Sequence, residues 1–394
     1  MNKYNELAKD IYLVGVIDWN IRNFHGHTTN LGTTYNAYLI IDEKVTLIDT
    51  VKENFSDEMI CRIRQIIDPK KIDYIISNHV EMDHSGGIPK MMRLCPNATI
   101  VTSAPNGISG LRKHYGEYNY KEVKSGDTLS IGKRTLQFVG IPMLHWPDSM
   151  VTYCPEEKIL FSNDAFGQHY TRVKHFDDEN DLKLILEQAR KYYANIVMPF
   201  GMQVQNALKV VRGLDLKLIA ASHGVIWRSH IQDIINVYDK WSNNETGKKA
   251  VIVYDSMWHS TEKIANAIIS GFEKANMEAR LLDLKANHIS DVMDDALDAE
   301  YIIVGSPTLN NNMMPEVSAF LTYMKGLAPK RRKGFAFGSY GWSGQSIGLV
   351  EEQMKNTAIE IVLDMIRIQY IPTKEQLQEI EDSVYDLVKK EEEI

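Results

Sequence analysis

Short apolar runs recur through the last third of the chain, and a helical pattern separates each run from the next. Runs of this length, rich in branched and aromatic residues, are typical of strands, and strands that alternate with helices form parallel βαβ units. The segment is therefore predicted to fold as an α/β domain with a doubly wound five-stranded parallel sheet. The runs are AVIVY (250–254), ARLLDL (279–284), YIIVG (301–305), GFAFG (334–338) and MIRIQY (365–370).

The first 240 residues have a different pattern, in which strand-like runs lie close together with few helices between them. Examples are YNAYLII (35–41), VTLID (45–49) and DYIIS (73–77). Helical patterns are found at about 56–67 and again at about 180–193. This part of the chain is therefore predicted to be an α+β domain, with mixed sheets flanked by helices.

The two patterns meet at a short polar segment, WSNNETGKK (241–249), whose turn-forming residues are typical of a linker. A chain of 394 residues also exceeds the length at which a single hydrophobic core stops growing. We therefore predict two domains, with bounds 1–246 and 247–394. Residues 248–394 contain 16 Lys and Arg against 23 Asp and Glu, a balance of -7 that suits docking by a separate protein.

Charge and hydropathy limit the partners that this chain is expected to have. The formal net charge is -8 at pH 7, whereas nucleic acids and anionic membranes are bound by basic patches. No apolar stretch approaches the roughly 18 residues that span a bilayer, and the start MNKYNELAKDIYLVG lacks the order of a signal peptide. We expect a cytoplasmic protein that binds neither nucleic acid nor membrane and acts on a small molecule or another protein.

The cysteines indicate no metal or disulfide framework of their own. Cys61, Cys95 and Cys154 are far apart, odd in number and free of any Cys-x-x-Cys spacing. Neither a disulfide-stabilised fold nor a rubredoxin-type iron centre is therefore expected. We interpret all three as small apolar side chains in the core.

A dense group of potential metal ligands follows the strand-like run DYIIS. His79, Glu81, Asp83 and His84 fall within six positions, directly before a glycine turn. Loops at strand ends collect functional groups, and imidazoles and carboxylates are common metal ligands. The alternative interpretation is a polar loop whose histidines bond to water.

Distant counterparts favour the metal site over the polar loop. His145 follows the strand-like TLQFVGIPM, Asp164 follows ILFSN, and His223 follows KLIAAS. Each residue therefore lies at the end of an apolar strand, as the first group does. Side chains from four separate stretches are predicted to meet around metal ions.

The ligand pattern resembles that of the metallo-β-lactamase superfamily, in which a His-x-His-x-Asp-His motif is followed by His, Asp and His. Here the second motif position is Glu81. A carboxylate in place of an imidazole adds negative charge and a hard oxygen donor, which shifts the preference from zinc toward iron. The set is similar to that of the flavodiiron proteins, also called A-type flavoproteins, and this resemblance implies an αββα sandwich for the first domain.

The resemblance also implies roles for individual residues. One iron would be held by His79, Glu81 and His145, the other by Asp83, His84 and His223, with Asp164 as the bridge. His25 and Tyr193 would lie near the open face as proton or hydrogen-bond donors. Considered without the resemblance, His25 and Tyr193 have an ordinary structural interpretation.

The loops that follow the strands of the second domain favour a flavin. Hydroxyl side chains at a helix N-terminus form an anion site without Lys or Arg, although an ordinary N-cap at Ser260 or Thr261 is the alternative. Ligands of open parallel sheets bind beyond the carboxyl ends of the strands, where three such loops meet. Together the loops resemble flavodoxin and imply FMN. The candidate FMN-binding residues are Ser256, Met257, Trp258, His259, Ser260, Thr261, Ser306, Pro307, Thr308, Leu309, Asn310, Ser339, Tyr340, Gly341 and Trp342.

The flavodiiron resemblance spans nearly the whole chain and implies an oxidoreductase with two iron ions and one FMN per chain. It would reduce O2 to water, NO to N2O, or both, with electrons from an external donor such as rubredoxin or a flavin reductase. The resemblance further implies a head-to-tail homodimer or a dimer of dimers. Because no Gly-x-Gly-x-x-Gly follows a strand, a Rossmann site for NAD(P)H is not expected.

Two rival hypotheses stay open at this point. One is a zinc-dependent hydrolase of the metallo-β-lactamase superfamily fused to a flavodoxin-like module, and Glu81 is the feature that argues against it. The other is an electron carrier in which only the flavin works. The sequence leaves the preference between O2 and NO and the identity of the donor undetermined.

Overall fold

The computed structural model describes residues 5–171 and 174–392. Within these residues the chain forms two compact units. The first unit is drawn from Met1–Phe24, Thr29–Tyr192 and Phe200–Asp239, and the second from His25–Thr28, Tyr193–Pro199 and Lys240–Ile394.

The strands of the first 240 residues are short, as expected for a mixed fold. They are β1 Glu6–Ala8, β2 Ile11–Leu13, β3 Val16–Asp18, β4 Asn23–Phe24, β5 His27–Thr28, β6 Thr33–Tyr35, β7 Tyr38–Ile40, β8 Val45–Ile48, β9 Ile72–Ser77, β10 Thr99–Ser103, β11 Tyr120–Val123, β12 Thr128–Ser130, β13 Thr135–Gly140, β14 Met150–Cys154, β15 Ile159–Asn163 and β16 Leu218–Ala221. Seven of them form a sheet in the order β1-β2-β7-β8-β9-β10-β11, and five form a second sheet in the order β12-β13-β14-β15-β16. Both sheets contain parallel and antiparallel pairs.

The helices of the first unit flank these sheets. They are α1 Ser56–Arg64, α2 Met82–Ser85, α3 Ile88–Leu94, α4 Asn106–Tyr115, α5 Leu182–Tyr192, α6 Gly201–Val211 and α7 Ile231–Ser242, with 3-10 turns at Glu53–Phe55, Pro69–Lys71 and Asp177–Glu179. Helices were predicted at about 56–67 and 180–193. The observed helices α1 and α5 end at Arg64 and Tyr192, before the predicted carboxyl ends.

Alternation along the strands divides the core of the first unit into two layers. Ile48 and Ile76 point toward the five-stranded sheet and share a buried cluster with Phe161. Their chain neighbours Leu47 and Ile75 point the other way and pack with side chains of α1 and α3. Successive side chains of a strand face opposite sides, so the two sheets pack face to face with helices outside.

One predicted strand, YNAYLII at 35–41, is broken in two. Its first part pairs with β3 as a separate two-stranded sheet, and its second part joins the seven-stranded sheet. The break is at Asn36, whose side-chain Nδ2 donates to the carbonyls of Ala221 and Gly224 at 2.8 and 3.1 Å. The buried amide therefore ends the strand and ties it to the loop around His223.

The second unit contains the parallel sheet. Its strands are β17 Gly247–Tyr254, β18 Glu278–Asp283, β19 Ala299–Gly305, β20 Lys333–Gly334, β21 Ala336–Tyr340, β22 Glu360–Ile361 and β23 Ile366–Gln369. The order is β18-β17-β19, then β20 and β21 as one interrupted position, then β22 and β23 as another, and every pair is parallel. Its helices are α8 Ser260–Lys274, α9 Ile289–Ala296, α10 Pro315–Leu327, α11 Gln345–Asn356 and α12 Lys374–Glu392.

The cysteines differ from one another in burial. Cys95 and Cys154 are buried, as predicted, but Cys61 is exposed on α1, so the interpretation of all three cysteines as core residues was wrong. Cys61 lies on the face of the helix opposite the buried Met59, Ile60 and Ile63.

In the described part of the chain, none of the helices combines the length and the hydropathy that a membrane span needs.

Candidate metal centre and binding cavity

The first group of candidate ligands lies where β9 meets a one-turn helix. His79 follows the strand, and Glu81 precedes α2, which contains Asp83 and His84. The hydroxyl of Ser85 donates to the carbonyl of Val80 at 2.7 Å and holds the turn closed. Because the chain reverses direction here, ligands adjacent in sequence can face one point.

The distant candidates lie on three loops of the five-stranded sheet. His145 is in the loop between β13 and β14, Asp164 follows β15, and His223 follows β16. A buried carboxylate, that of Asp49, ties two strand ends together, since it accepts the backbone N–H of Asn78 at 2.8 Å and the Nδ2 of Asn163 at 3.2 Å. Both sheets therefore contribute ligands to one centre.

The structure brings the seven predicted metal ligands together in two groups. The ligand atoms of His79, Glu81, His145 and Asp164 lie within 4.8 Å of one another, and so do those of Asp83, His84 and His223. In the first group, Oε2 of Glu81 lies 3.2 Å from Nε2 of His79 and 3.3 Å from Nε2 of His145. In the second, Asp83 lies 3.3 Å from Nε2 of His84 and 3.2 Å from Nε2 of His223.

Asp164 faces both groups, one with each carboxylate oxygen. Oδ1 lies 2.9 Å from Nε2 of His84 and 3.4 Å from Nε2 of His223. Oδ2 lies 3.4 Å from Nε2 of His145 and 3.7 Å from Nε2 of His79. This is the position that a carboxylate bridging two metal ions requires.

The buried polar atoms of the centre fit a pair of cations. The four oxygens of Asp83 and Asp164 are buried, and no described residue gives them a hydrogen bond of good geometry despite the short distances to imidazoles. Together with Glu81 they place three carboxylates in one buried pocket. Buried carboxylates without donors are costly unless cations bind them, so the donor set suits metal coordination.

The carboxylates also raise the affinity of the imidazoles for protons. Burial opposes protonation of His145 and His223, but two carboxylates together outweigh burial in each case, Asp164 with Glu81 at His145 and Asp164 with Asp83 at His223. The pKa of His145 rises to about 9, and that of His223 to about 10. Burial would raise the pKa of Asp164, yet the surrounding imidazoles, His84 foremost, hold that pKa well below its usual range. A metal ion entering this centre therefore displaces protons.

Sequence reasoning missed the groups that orient the imidazoles from outside. Nδ1 of His79 lies 3.0 Å from Oδ2 of Asp148, and Nδ1 of His223 lies 2.6 Å from the carbonyl oxygen of Thr34. Nothing in the local sequence distinguishes Asp148, which lies in the short segment Trp146–Ser149 before β14. Only the folded contact with His79 identifies it.

His25 and Tyr193, the two predicted donors, belong to the second unit. His25 is exposed and has a left-handed backbone, with a φ of 48°. Tyr193 is fully buried at the start of a π-helical turn, and its ring packs 5.2 Å from that of Trp241. Neither is among the residues that form the two ligand groups.

A cavity of about 680 Å³ lies in the second unit, beside the carboxyl ends of the parallel strands. Eleven of the predicted FMN-binding residues line it, and all three predicted loops contribute. These residues are Met257, Trp258, Ser260, Pro307, Thr308, Leu309, Asn310, Ser339, Tyr340, Gly341 and Trp342. Sequence reasoning missed four further lining residues, Asn311, Ser343, Tyr370 and Ile371.

Four predicted FMN-binding residues are not among those that line the cavity. Ser306 and Thr261 turn to protein partners, since Ser306 Oγ contacts the carbonyl of Pro307 at 2.8 Å and Thr261 Oγ1 lies 2.9 Å from Ser339 Oγ. His259 caps α8 with a φ of 65°. The buried hydroxyl of Ser256 has no hydrogen-bond partner among the described residues, as expected for a donor reserved for an anion.

Both halves of the chain match known protein families. Residues 33–224 match the ODP family of beta-lactamases, and residues 252–383 match flavodoxin. The prediction of a metallo-β-lactamase-like αββα sandwich followed by a flavodoxin-like doubly wound sheet is thereby confirmed.

Whole-chain relatives have the same arrangement. A nitric oxide reductase of Moorella thermoacetica is 46% identical over 379 residues, which cover 94% of this chain and 95% of the relative. The structure of rubredoxin oxygen:oxidoreductase from Desulfovibrio gigas matches with a TM-score of 0.95 and 39% identity, covering 99% of both chains. That of the flavodiiron protein from Giardia intestinalis matches with a TM-score of 0.94 and 38% identity, covering 98% of this chain and 96% of that one.

Proposed function

Because the chain belongs to the flavodiiron protein family, we propose that it reduces O2 to water, NO to N2O, or both. Relatives with these two activities in their names match nearly the full length of the chain. Electrons would come from an external donor. A rubredoxin-type donor is supported by the name of the relative from Desulfovibrio gigas, and a flavin reductase is the other candidate.

The observation that carries the proposal is the position of Asp164 between two groups of ligands. We propose that His79, Glu81 and His145 hold one iron, that Asp83, His84 and His223 hold the other, and that Asp164 bridges them. The buried carboxylate oxygens without donors support this assignment. Two ferrous ions and a reduced FMN, when bound, supply the electrons for complete reduction of O2 and open coordination positions for a diatomic gas.

The side chains of the centre contribute position, charge and exclusion of water. Asp164 fixes the separation of the two groups, because each of its oxygens serves a different one. Glu81 and Asp83 add one negative charge to each group, which favours the oxidised form of a bound iron. All the ligand side chains except His145 are buried, so competing water has little access.

The FMN would occupy the cavity in the second unit. We propose that the 11 predicted residues that line the cavity surround it, with the phosphate near Ser256 and the N-terminus of α8, and that His259, Thr261 and Ser306 support the loops from behind. Apolar and aromatic side chains such as Trp258, Leu309 and Trp342 suit the isoalloxazine ring. We further propose that His25 and Tyr193 serve as proton or hydrogen-bond donors in the reaction.

Neither rival hypothesis is favoured. A zinc hydrolase would have an imidazole at the position of Glu81, and the whole-chain relatives are oxidoreductases by name. A flavin-only electron carrier would have no use for a buried centre with three carboxylates and four imidazoles. The electron-carrier hypothesis predicts that Asp164→Ala leaves turnover unchanged, and metal analysis tests the zinc hydrolase.

We also propose a head-to-tail homodimer or a dimer of such dimers, a domain boundary between residues 246 and 247, and a cytoplasmic location. Three cysteines without a disulfide are consistent with a reducing compartment. Sedimentation of the active protein tests the assembly, and a fully active monomer would exclude the dimer. Limited proteolysis between residues 241 and 249 tests the boundary.

The function is tested on protein purified without air and analysed first for iron, zinc and FMN. Gas electrodes then measure consumption of O2 and of NO with a chemically reduced rubredoxin as the donor. We expect iron and FMN in the protein, and consumption of at least one gas without peroxide. Stoichiometric H2O2, or zinc in place of iron with no gas consumption, would contradict the proposal.

A further inference from the structure

His79 of the first ligand group and His223 of the second differ in the residue that contacts the ring nitrogen Nδ1, the nitrogen that faces away from the centre. In the first group, Nδ1 of His79 lies 3.0 Å from the carboxylate oxygen Oδ2 of Asp148. In the second, Nδ1 of His223 lies 2.6 Å from the carbonyl oxygen of Thr34. His79 thus has an anionic outer partner, whereas His223 has a neutral one.

Asp148 is built into the fold in a single orientation. Its side chain is only 4% exposed, and Oδ2 also accepts the backbone N–H of Val80 at 2.7 Å. The carbonyl oxygen of the same residue accepts from the hydroxyl of Ser103. The carboxylate therefore cannot swing away from His79 without breaking a buried hydrogen bond.

The charge of this partner affects what His79 can offer a metal ion. When Nε2 binds a metal, Nδ1 has the proton and donates it toward Asp148. A carboxylate that accepts this hydrogen bond draws the proton and makes the imidazole a stronger electron donor, whereas a carbonyl does so less. Loss of such an outer partner typically lowers metal affinity by about 10- to 100-fold.

We propose that Asp148 is a positioning residue that makes the two metal positions unequal, with the position of His79, Glu81 and His145 the tighter and more electron-rich one. The proposal rests on the ligand assignment given above. It assigns to one buried carboxylate a difference between two positions that otherwise have similar ligands.

The test is Asp148→Asn in the full-length protein, because asparagine keeps the shape and an acceptor oxygen but removes the charge. Release of iron to an excess of a ferrous chelator is followed without air, and Mössbauer spectra are recorded on the 57Fe-loaded protein. We expect one iron to leave about 10- to 100-fold faster than in the wild type, with the other unchanged. We also expect the Mössbauer component of one iron to change in its isomer shift, while the component of the other iron remains unchanged.

The matched control is Asp177→Asn. Asp177 is also fully buried, but its oxygens accept the backbone N–H groups of Ser229 and His230 rather than an imidazole. A loss of stability common to buried Asp→Asn changes would appear in both variants. Equal effects of the two variants, equal acceleration of both irons, or unchanged release in Asp148→Asn would each overturn the proposal.

Chemical rescue provides a second test that does not depend on asparagine. Asp148 lines a cavity of about 470 Å³, together with Ser103 and Lys124, which has room for a small carboxylate. In Asp148→Ala, added formate should restore slow release, whereas neutral formamide of the same size should not. Equal rescue by both, or rescue by neither, would overturn the role of charge. Formate added to the wild type controls for direct ligation of iron.

Failure of this inference is distinguishable from failure of the proposed function. A wild-type protein that binds no iron would reject the function itself, before any variant is made. A wild-type protein with both irons and gas reduction, combined with an Asp148→Asn variant of unchanged release and spectra, would reject only the role of Asp148.

Discussion

Nε2 of His84 lies 2.9 Å from Oδ1 of Asp164, and both side chains are buried. His84 therefore points into the centre, toward the same carboxylate that the first ligand group faces with its other oxygen. Without this contact, His223 at 3.4 Å would be the remaining imidazole beside Oδ1 of Asp164. The contact makes Asp164 the residue on which both groups depend.

Asp164→Asn should impair both metal positions. The amide removes the bridging charge and one acceptor oxygen, so we expect gas reduction to fall by more than about 100-fold, beyond the usual effect of losing an outer partner. FMN content should be unchanged, because the cavity lies in the other unit. Iron and flavin analysis with gas electrodes measures both quantities. Normal turnover in this variant would reject the bridge.

Glu81→His should change which metal the protein retains. An imidazole at this position recreates the motif of the zinc hydrolases and removes a hard anionic donor, so the preference should move toward zinc. Cells grown with equal iron and zinc would yield protein for elemental analysis. Glu81→Asp, which keeps the carboxylate, is the control and should retain more iron than Glu81→His. An unchanged ratio of iron to zinc in Glu81→His would contradict the role given to Glu81.

Metal-free protein should lose stability as the pH rises above neutrality. The folded-state pKa values of His145 and His223 are about 9 and about 10, above the ordinary value of 6.5. Protonation of these two histidines therefore stabilises the folded state. The stabilisation is fully present below pH 6.5 and is lost as the pH rises through the folded-state pKa values. Melting of the chelated protein between pH 6 and 10 measures the slope.

His145→Gln should flatten that slope, whereas a change at the exposed His114 should leave it unaltered. Metal binding at pH 7 should also release protons, which calorimetry in buffers of different ionisation enthalpy detects. A slope of opposite sign, or metal binding without proton release, would mean that the imidazoles are neutral in the metal-free centre.

Trp342→Ala should weaken flavin binding without unfolding the protein. The side chain lines the cavity and is 89% exposed, so its removal leaves no void in the core. An aromatic stacking contact contributes about 1 kcal/mol, which corresponds to about a fivefold increase in the Kd for FMN. Quenching of flavin fluorescence by deflavinated protein measures this constant. Trp19→Ala, at an exposed tryptophan of the first unit, is the control and should leave the Kd unchanged.

The sequence predicted the parts of the molecule that local patterns encode. The parallel strands were visible as apolar runs, and the ligands from His79 to His84 were visible because four of them crowd one loop. His145, Asp164 and His223 could be added because each ends an apolar strand. Their sorting into two groups came from the family resemblance, since spacing alone does not determine which loops meet.

Contacts between distant segments were beyond reach of the sequence. Asp148 resembles any polar residue of a loop until it is seen beside His79. Tyr370 and Ile371 line the cavity from beyond the last strand, a place where no motif directed attention. Asn36 interrupts what reads as one strand because its amide serves carbonyls almost two hundred positions away.

The candidate ligands come from loops of both sheets of the first unit, which are otherwise joined by apolar contacts and by a few buried hydrogen bonds such as that from Asn163 to Asp49. Metal ions bound there would cross-link the two sheets. Their coordination bonds are directional, whereas most contacts between the sheets are apolar and non-directional. A small displacement of one sheet relative to the other would then break the coordination geometry. The metal ions would be released before the apolar core became exposed to solvent. Iron retention is thus expected to report early loosening of this unit sooner than changes in its helix content do.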